Sequence, residues 1–253
     1  MKALELYNLI NEFAPFSTAE DWDNSGLLIG SPECDSDCVL LTLDVTEAAV
    51  EEAVAVGAKI IVAHHPVIFH PLKVLAADSL FTKLIKEDIT VICAHTNLDF
   101  AAGGVNDALA DALGLENTRH FDMMTDTLSL GRIGELEVPL SPDEFAEFVK
   151  SALGCGGLSY VSGEKTVSTV AVSGGHLSTA PTKALELGCD ALVSSEVKHS
   201  DFLDARDMGL TLIDAGHFPT EAVILPLLQQ ILSDKFPDTE FLLSAVKNPI
   251  QYI

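Results

Sequence analysis

The chain has 253 residues, with 38 Asp+Glu against 14 Lys+Arg and a formal charge of −24. That acid excess weighs against direct nucleic-acid binding, which runs on Lys and Arg contacts to phosphate. It would also repel an anionic metabolite at long range unless a local positive centre, such as bound divalent cations, offset it. With 48% hydrophobic residues and a mean hydropathy of +0.31, the composition is too apolar for disorder. No apolar run approaches the roughly 20 residues of a membrane-spanning helix.

The first stretch, MKALELYNLINEFAPF, is interrupted by Glu5, Asn8, Asn11 and Glu12. It reads as an ordinary helix and not as an export signal. Five cysteines, Cys34, Cys38, Cys93, Cys155 and Cys189, are odd in number, and no second pair joins Cys34 and Cys38 to complete a zinc knuckle. Free thiols in a reducing cytosol, and hence a cytoplasmic protein, are the expectation.

Further along, short apolar runs alternate with helical patterns. VLLTLD (39–44) predicts a strand, TEAAVEEAVAVG (46–57) a helix closed by Gly57, and AKIIVAHH (58–65) a second strand. ADSLFTKLIKED (77–88) predicts a helix, ITVICAH (89–95) a strand, and VNDALADALGL (105–115) a helix. In the middle, SPDEFAEF carries Ser141 as a cap, Pro142 at the first helical position and Glu144 to complete a capping box. The pattern then resumes. STVAVSGG (168–175), CDALVSSE (189–196) and LTLIDAGH (210–217) predict strands; APTKALELG (180–188), SDFLDARDMG (200–209) and TEAVILPLLQQIL (220–232) predict helices. Continuous apolar strands separated by helices argue for parallel, helix-covered sheets. GAKIIVAHHP resembles GCDALVSSEV, and AHTNLD resembles GHFPTE in placing a carboxylate four residues after a His. The expectation is an α/β protein of two similar three-layer α/β/α domains with mostly parallel sheets, related by internal duplication. They would span 1–126 and 127–253, with a metal site between them.

Ligands of open parallel sheets bind outside the carboxyl ends of the strands. The polar residues at those ends are His64 and His65, His95 and Asp99, Ser195 and Glu196, and His217 and Glu221. Adjacent strand residues point to opposite faces, so His64 and His65 could share a target only where the pleat is released. Pro66 follows at once and restricts His65 to extended backbone. Glu221, four residues past His217 with Pro219 between, meets it on one helical face. His64, His65, Asp99, His217 and Glu221 together make three imidazole nitrogens and two carboxylates. One ion needs three or four such donors, so five favour two divalent ions bridged by a carboxylate and water. Imidazole with carboxylate suits Zn, Fe, Mn, Co or Ni without choosing among them. His95 would stand beside them as a further ligand, an orienting partner or a proton carrier. The Gly pairs at 101–104 and 173–176 read as turns; neither completes a nucleotide-binding fingerprint. Trp22, Asp23 and Asn24 could line a ligand pocket.

DWDNSGLLIG (21–30), DVTEAAVEEA (44–53), AHHPVIF (63–69), AHTNLDFAAGGVNDALA (94–110) and DAGHFPTE (214–221) resemble, in order, the signatures of the Nif-three-like family. Its members are also called dinuclear-metal-centre hexameric proteins or GTP cyclohydrolase type-2-like proteins. The resemblance implies two α/β domains without the inserted middle domain of longer relatives, a toroidal homohexamer, and a two-metal site. Carried over, it makes His64, His65, Asp99, His217 and Glu221 the metal ligands. Ser194, Ser195 and Glu196 stand where relatives often read Thr-Gly-Glu or Thr-Gly-Asp, and His199 stands where an aromatic is common. The expected function is a metal-dependent hydrolase acting on a nucleotide-like, phosphate-bearing substrate, by GTP cyclohydrolase-type ring opening or phosphoester hydrolysis, with His95 moving a proton. The alternative is a non-enzymatic ring that stores metal or serves as an interaction scaffold.

Overall fold

The computed structural model describes residues 1–176 and 181–253. In chain order its elements begin with α1 (Ala3–Phe13), β1 (Gly26–Ile29), β2 (Cys38–Thr42), α2 (Glu47–Val56), β3 (Ile60–Ala63), α3 (Leu80–Lys86), β4 (Thr90–Cys93) and α4 (Thr96–Phe100). There follow α5 (Val105–Ala112), β5 (Leu115–Met123), β6 (Ser129–Leu140), α6 (Pro142–Ala152), β7 (Ser159–Val161), β8 (Val167–His176) and α7 (Pro181–Glu186). The last are β9 (Ala191–Ser195), α8 (His199–Asp207), β10 (Thr211–Asp214), α9 (His217–Ala222), α10 (Ile224–Lys235) and β11 (Glu240–Leu243). Ala180, first residue of the helix expected over 180–188, lies outside the described residues.

The chain divides into two compact units, Met1–Ala102 with Leu225–Lys247, and Gly103–Ile224 with Asn248–Ile253. Residue 126, where the sequence places the boundary, falls inside the second unit, in the connection between β5 and β6. The division instead comes before α5, and most of α10 with β11 belongs to the first unit.

In the first unit the sheet runs β1-β4-β3-β2-β11, with β4, β3, β2 and β11 parallel and β1 antiparallel to β4. Leu40, Ile61 and Val91 share one core with Val50 and Ala53 of α2 and Leu84 of α3. The alternate residues Val39, Leu41, Ile60, Val62 and Ile92 are equally buried. Strands covered on both faces have no polar side to alternate with, which is why they read as unbroken apolar runs. Thr46 caps α2 by accepting from Ala49 N–H at 3.2 Å. Gly57 ends that helix at φ +77°, a left-handed conformation that glycine adopts without a Cβ penalty.

In the second unit the order is β5-β6-β8-β9-β10-β7, with β8, β9 and β10 parallel and the flanking strands antiparallel to their neighbours. Val170, Val172, Ala191, Val193 and Ile213 face α5 and α6 in one core. Ala171, Leu192 and Leu212 face α7 and α8 in another, so this unit is three-layered. The capping box of α6 forms as its sequence predicts, with Ser141 N–H donating to Glu144 Oε2 at 3.0 Å. Both units trace one path: an antiparallel edge strand, then β-α-β-α-β, with the edge strand lying beside the last of the three. Such a shared topology is what a duplication would leave.

Three differences from the expected elements have local causes. β5 has only Leu115 and Phe121 buried in a run of ENTRH and its neighbours, so it carries no apolar alternation. β1, β7 and β11 are edge strands of three or four residues, too short to show a period. The single helix expected over 220–232 is divided into α9 and α10. Pro226 lacks the N–H that would bond the carbonyl of Ala222.

Candidate metal centre

In the first unit, His64 and His65 follow β3 and keep its pairing, their backbone N–H groups donating to Thr42 O at 3.2 Å and Leu43 O at 2.9 Å. Beyond them the strand ends. Their rings nonetheless lie together, with centroids 5.1 Å apart and planes inclined by 39°. His95, at the end of β4 and the head of α4, brings a third imidazole to within 5.3 Å of His64 and 5.6 Å of His65. Asp99 sits one turn into α4, with Oδ1 3.5 Å from His64 Nε2. His64, Asp99 and Asn97 are buried, and Asn97 Nδ2 ties the helix down by donating to Ala14 O at 2.7 Å.

Each of these rings is oriented through Nδ1. That atom of His64 lies 2.8 Å from Ala94 O; a carbonyl only accepts, so the proton is on Nδ1 and the lone pair of the neutral ring is on Nε2. His65 Nδ1 meets Asp44 Oδ1 at 2.7 Å, and His95 Nδ1 meets Asp23 Oδ1 at 2.7 Å. Burial would push the Asp23 carboxyl up, but hydrogen bonds from His95, Thr96 and Ser25 outweigh it and hold the group well below the usual carboxylate range. Asp23 is therefore ionised at neutral pH and accepts from His95 Nδ1–H. Beneath them, Cys93 donates from Sγ to His64 O at 3.0 Å. Burial, with Asp23 and Asp99 adding, pushes its thiol well up, so it stays protonated and inert.

In the second unit, His217 opens α9 and Glu221 closes on it one turn later, with Oε2 3.0 Å from His217 Nε2. On its other side, His217 Nδ1 lies 3.1 Å from Glu196 Oε1. Glu196 follows β9 at φ +54°, a left-handed conformation uncommon for a side-chain-bearing residue. Thr220, between the two, donates from Oγ1 to His217 O at 2.9 Å. Gly175, near the end of β8, makes room for this group: a Cβ there would collide with Glu221 Oε1 and lie 3.4 Å from His217 Nε2, while one on the neighbouring Gly174 would stand 2.8 Å from Val105 Cγ1.

These donor sets fit divalent cations. In His64 with Asp99, two lone-pair atoms face each other at 3.5 Å, an approach that a proton or a cation between them makes favourable. A neutral His217 has one N–H for two carboxylates, so its two contacts together call for one further proton or a bound cation. Metal-ligating histidines characteristically donate their second ring N–H to a carboxylate or carbonyl, which fixes the tautomer and aims the other nitrogen. All four imidazoles here have an oxygen acceptor at Nδ1.

The sequence reading omits Asp44, although it too follows the carboxyl end of a strand. It also leaves Glu196 without a role and treats the glycines at 173–176 as a plain turn. In the turn at 101–104, Gly103 N–H donates to Asp107 Oδ2 at 2.7 Å, so a carboxylate of the chain already takes that donor. His199 begins α8 on the surface. The cysteines are free thiols.

A model of the Duf34/NIF3 (NGG1p interacting factor 3) family matches residues 1–249. A Clostridium perfringens protein named GTP cyclohydrolase 1 type 2 homolog is 31% identical over an alignment of 262 positions that covers 100% of both chains. The crystal structure of Staphylococcus aureus hypothetical protein SA1388 superposes with a TM-score of 0.93 at 31% identity, over 100% of this chain and 99% of that one. That of a Bacillus cereus protein related to NIF3 gives a TM-score of 0.93 at 26% identity, with the same coverage.

Proposed function

The chain belongs to the Duf34/NIF3 family, and on that premise we propose that it is a divalent-metal-dependent hydrolase acting on a nucleotide-like substrate. In the first unit His64, His65 and Asp99 are the proposed metal ligands, and in the second His217 and Glu221. The observation that carries this reading is the shared anchoring of the imidazoles, each held by an acceptor at Nδ1 so that Nε2 is the atom offered. It is supported by the closeness of the two imidazoles of the first unit, His64 and His65, whose ring centroids lie 5.1 Å apart. The charge of the chain points the same way, since a strongly acidic protein needs a local cationic centre to retain a phosphate. Ions bound there would polarise a substrate oxygen and acidify water at neutral pH.

The remaining chemistry belongs to the chain. His95 holds a proton on Nδ1 against ionised Asp23, which leaves Nε2 to exchange a proton with the reacting group and lets the carboxylate stabilise the imidazolium that results. Asp44 and Glu196 set the orientations of His65 and His217. The name carried by the Clostridium relative points to opening of a guanine ring; phosphoester hydrolysis would use the same residues. Among the described residues no helix is long and apolar enough to cross a membrane.

Metal-loaded protein incubated with a panel of nucleotides, GTP included, should show turnover, and His64→Ala should lower it by at least about a hundredfold while the far-ultraviolet circular dichroism is unchanged. Turnover that survives in His64→Ala sinks the proposal. Tight metal binding with no turnover across the panel would favour the metal-storing or scaffolding alternative.

A further inference from the structure

Trp22 is the chain's only tryptophan, and it stands 59% exposed. Phe69, with a ring centroid 5.9 Å away, is 42% exposed. The ring of His95 lies 6.0 Å from Trp22 and 6.4 Å from Phe69. None of these pairs is stacked: their planes are inclined by 50°, 77° and 75°. Three aromatic rings thus cluster beside one another with none stacked on another, and one of them is the proposed proton carrier.

An exposed aromatic on a loose loop would mean little. This one is built in. Both residues that follow Trp22 are fastened to the segments that carry the other two rings. Asp23 accepts from His95 Nδ1 at 2.7 Å and from Thr96 Oγ1 at 2.6 Å, and Asn24 Nδ2 donates to Ile68 O at 2.5 Å, next to Phe69. The backbone that carries the rings is held in place before anything binds, which lowers the ordering cost for a ligand to meet. A planar heteroaromatic ring suits such a cluster, because base–aromatic stacking is face-to-face and tolerant of ring substituents. It also carries no net charge to be repelled by a chain of −24.

We propose that Trp22 and Phe69 form a stacking platform for the nucleobase of the substrate, placing a heteroaromatic ring beside His95. The inference deepens the hydrolase reading by naming the part of the substrate that the first unit recognises, and it rests on that reading for its role in turnover. Recognition of the ring itself does not require metal.

Trp22 supplies its own probe. Guanosine and adenosine should quench its fluorescence saturably, in chelator-stripped as well as metal-loaded protein, whereas ribose 5-phosphate and inorganic phosphate should not. Calorimetric titration with guanosine should show binding weakened about tenfold or more in Trp22→Leu and in Phe69→Ala. Trp22 is exposed, so its substitution tests the platform even if Phe69→Ala folds poorly. Nucleoside binding that is unchanged in Trp22→Leu, or absent from the wild-type protein, overturns the platform. So does a Trp22 emission that responds to protein concentration alone, because the rings would then be covered by a second copy of the chain. Binding by stripped protein together with no turnover in the loaded form would uphold the platform and remove the hydrolase; turnover without any loss in the two variants would do the reverse.

Discussion

Gly175 shows how much of the centre depends on a side chain that is missing. Its φ of +61° belongs to the left-handed region, and a Cβ there would strike Glu221. Gly175→Ala should therefore cost about 1–3 kcal/mol of stability and weaken divalent-metal binding by at least about tenfold through a displaced Glu221. Gly57→Ala is the control. It has a similar φ of +77° with nothing within 4 Å of the added atom, so it should cost about 1 kcal/mol and leave metal affinity alone. Urea unfolding and competition with a chromogenic chelator would measure both; equal metal affinities in the two variants would discard the steric account. At this scale the histidines were legible, because a titratable group at the end of an apolar strand contradicts its surroundings. Gly175 was not, since its requirement is empty space and appears only once Glu221 packs against it.

Among the elements, α6 illustrates a helix written plainly in its residues and held by what it covers. Ser141, Pro142 and Glu144 mark its start, while Phe145, Ala146 and Val149 enter the core against β8, β9 and α5. Phe145 is fully buried and Phe148, stacked 6.4 Å from it, is at the surface. Thermal unfolding of Phe145→Ala should show a loss of about 3–5 kcal/mol, with Phe148→Ala losing less than half as much. Comparable losses would mean that the helix is seated differently. The three central parallel strands of each unit were legible as apolar runs. The β5–β6 hairpin was not, for β5 exposes most of its length and its polar residues are indistinguishable from a loop until they are paired.

For the molecule as a whole, the dominant property is charge. Exposed ion pairs such as Lys83 with Glu47 and Glu51, or Lys2 with Glu33, are individually worth little, and 14 basic residues leave an excess of −24. Self-repulsion at that level is screened as the Debye length contracts to about 10 Å at 0.1 M salt. Raising sodium chloride from about 0.01 M to about 0.2 M should lift Tm by a few degrees. A flat or falling Tm would show that the acidic residues are locally compensated.

Class, strand-helix alternation, the repeated β-α-β-α-β path and the placing of histidines and carboxylates at strand ends could be read from residue order, because apolar runs and their polar endings are local facts of the chain. The unit boundary could not. It depends on α10 and β11 returning to the first sheet, where β11 pairs with β2 across nearly the whole sequence, and on α5 packing in the second core. The same holds for the partners that aim each imidazole. Asp44 for His65, Asp23 for His95 and Glu196 for His217 are separated from their rings by 21, 72 and 21 positions. Such pairings arise only when strands assemble side by side and bring their ends together, which no periodicity along a single segment encodes.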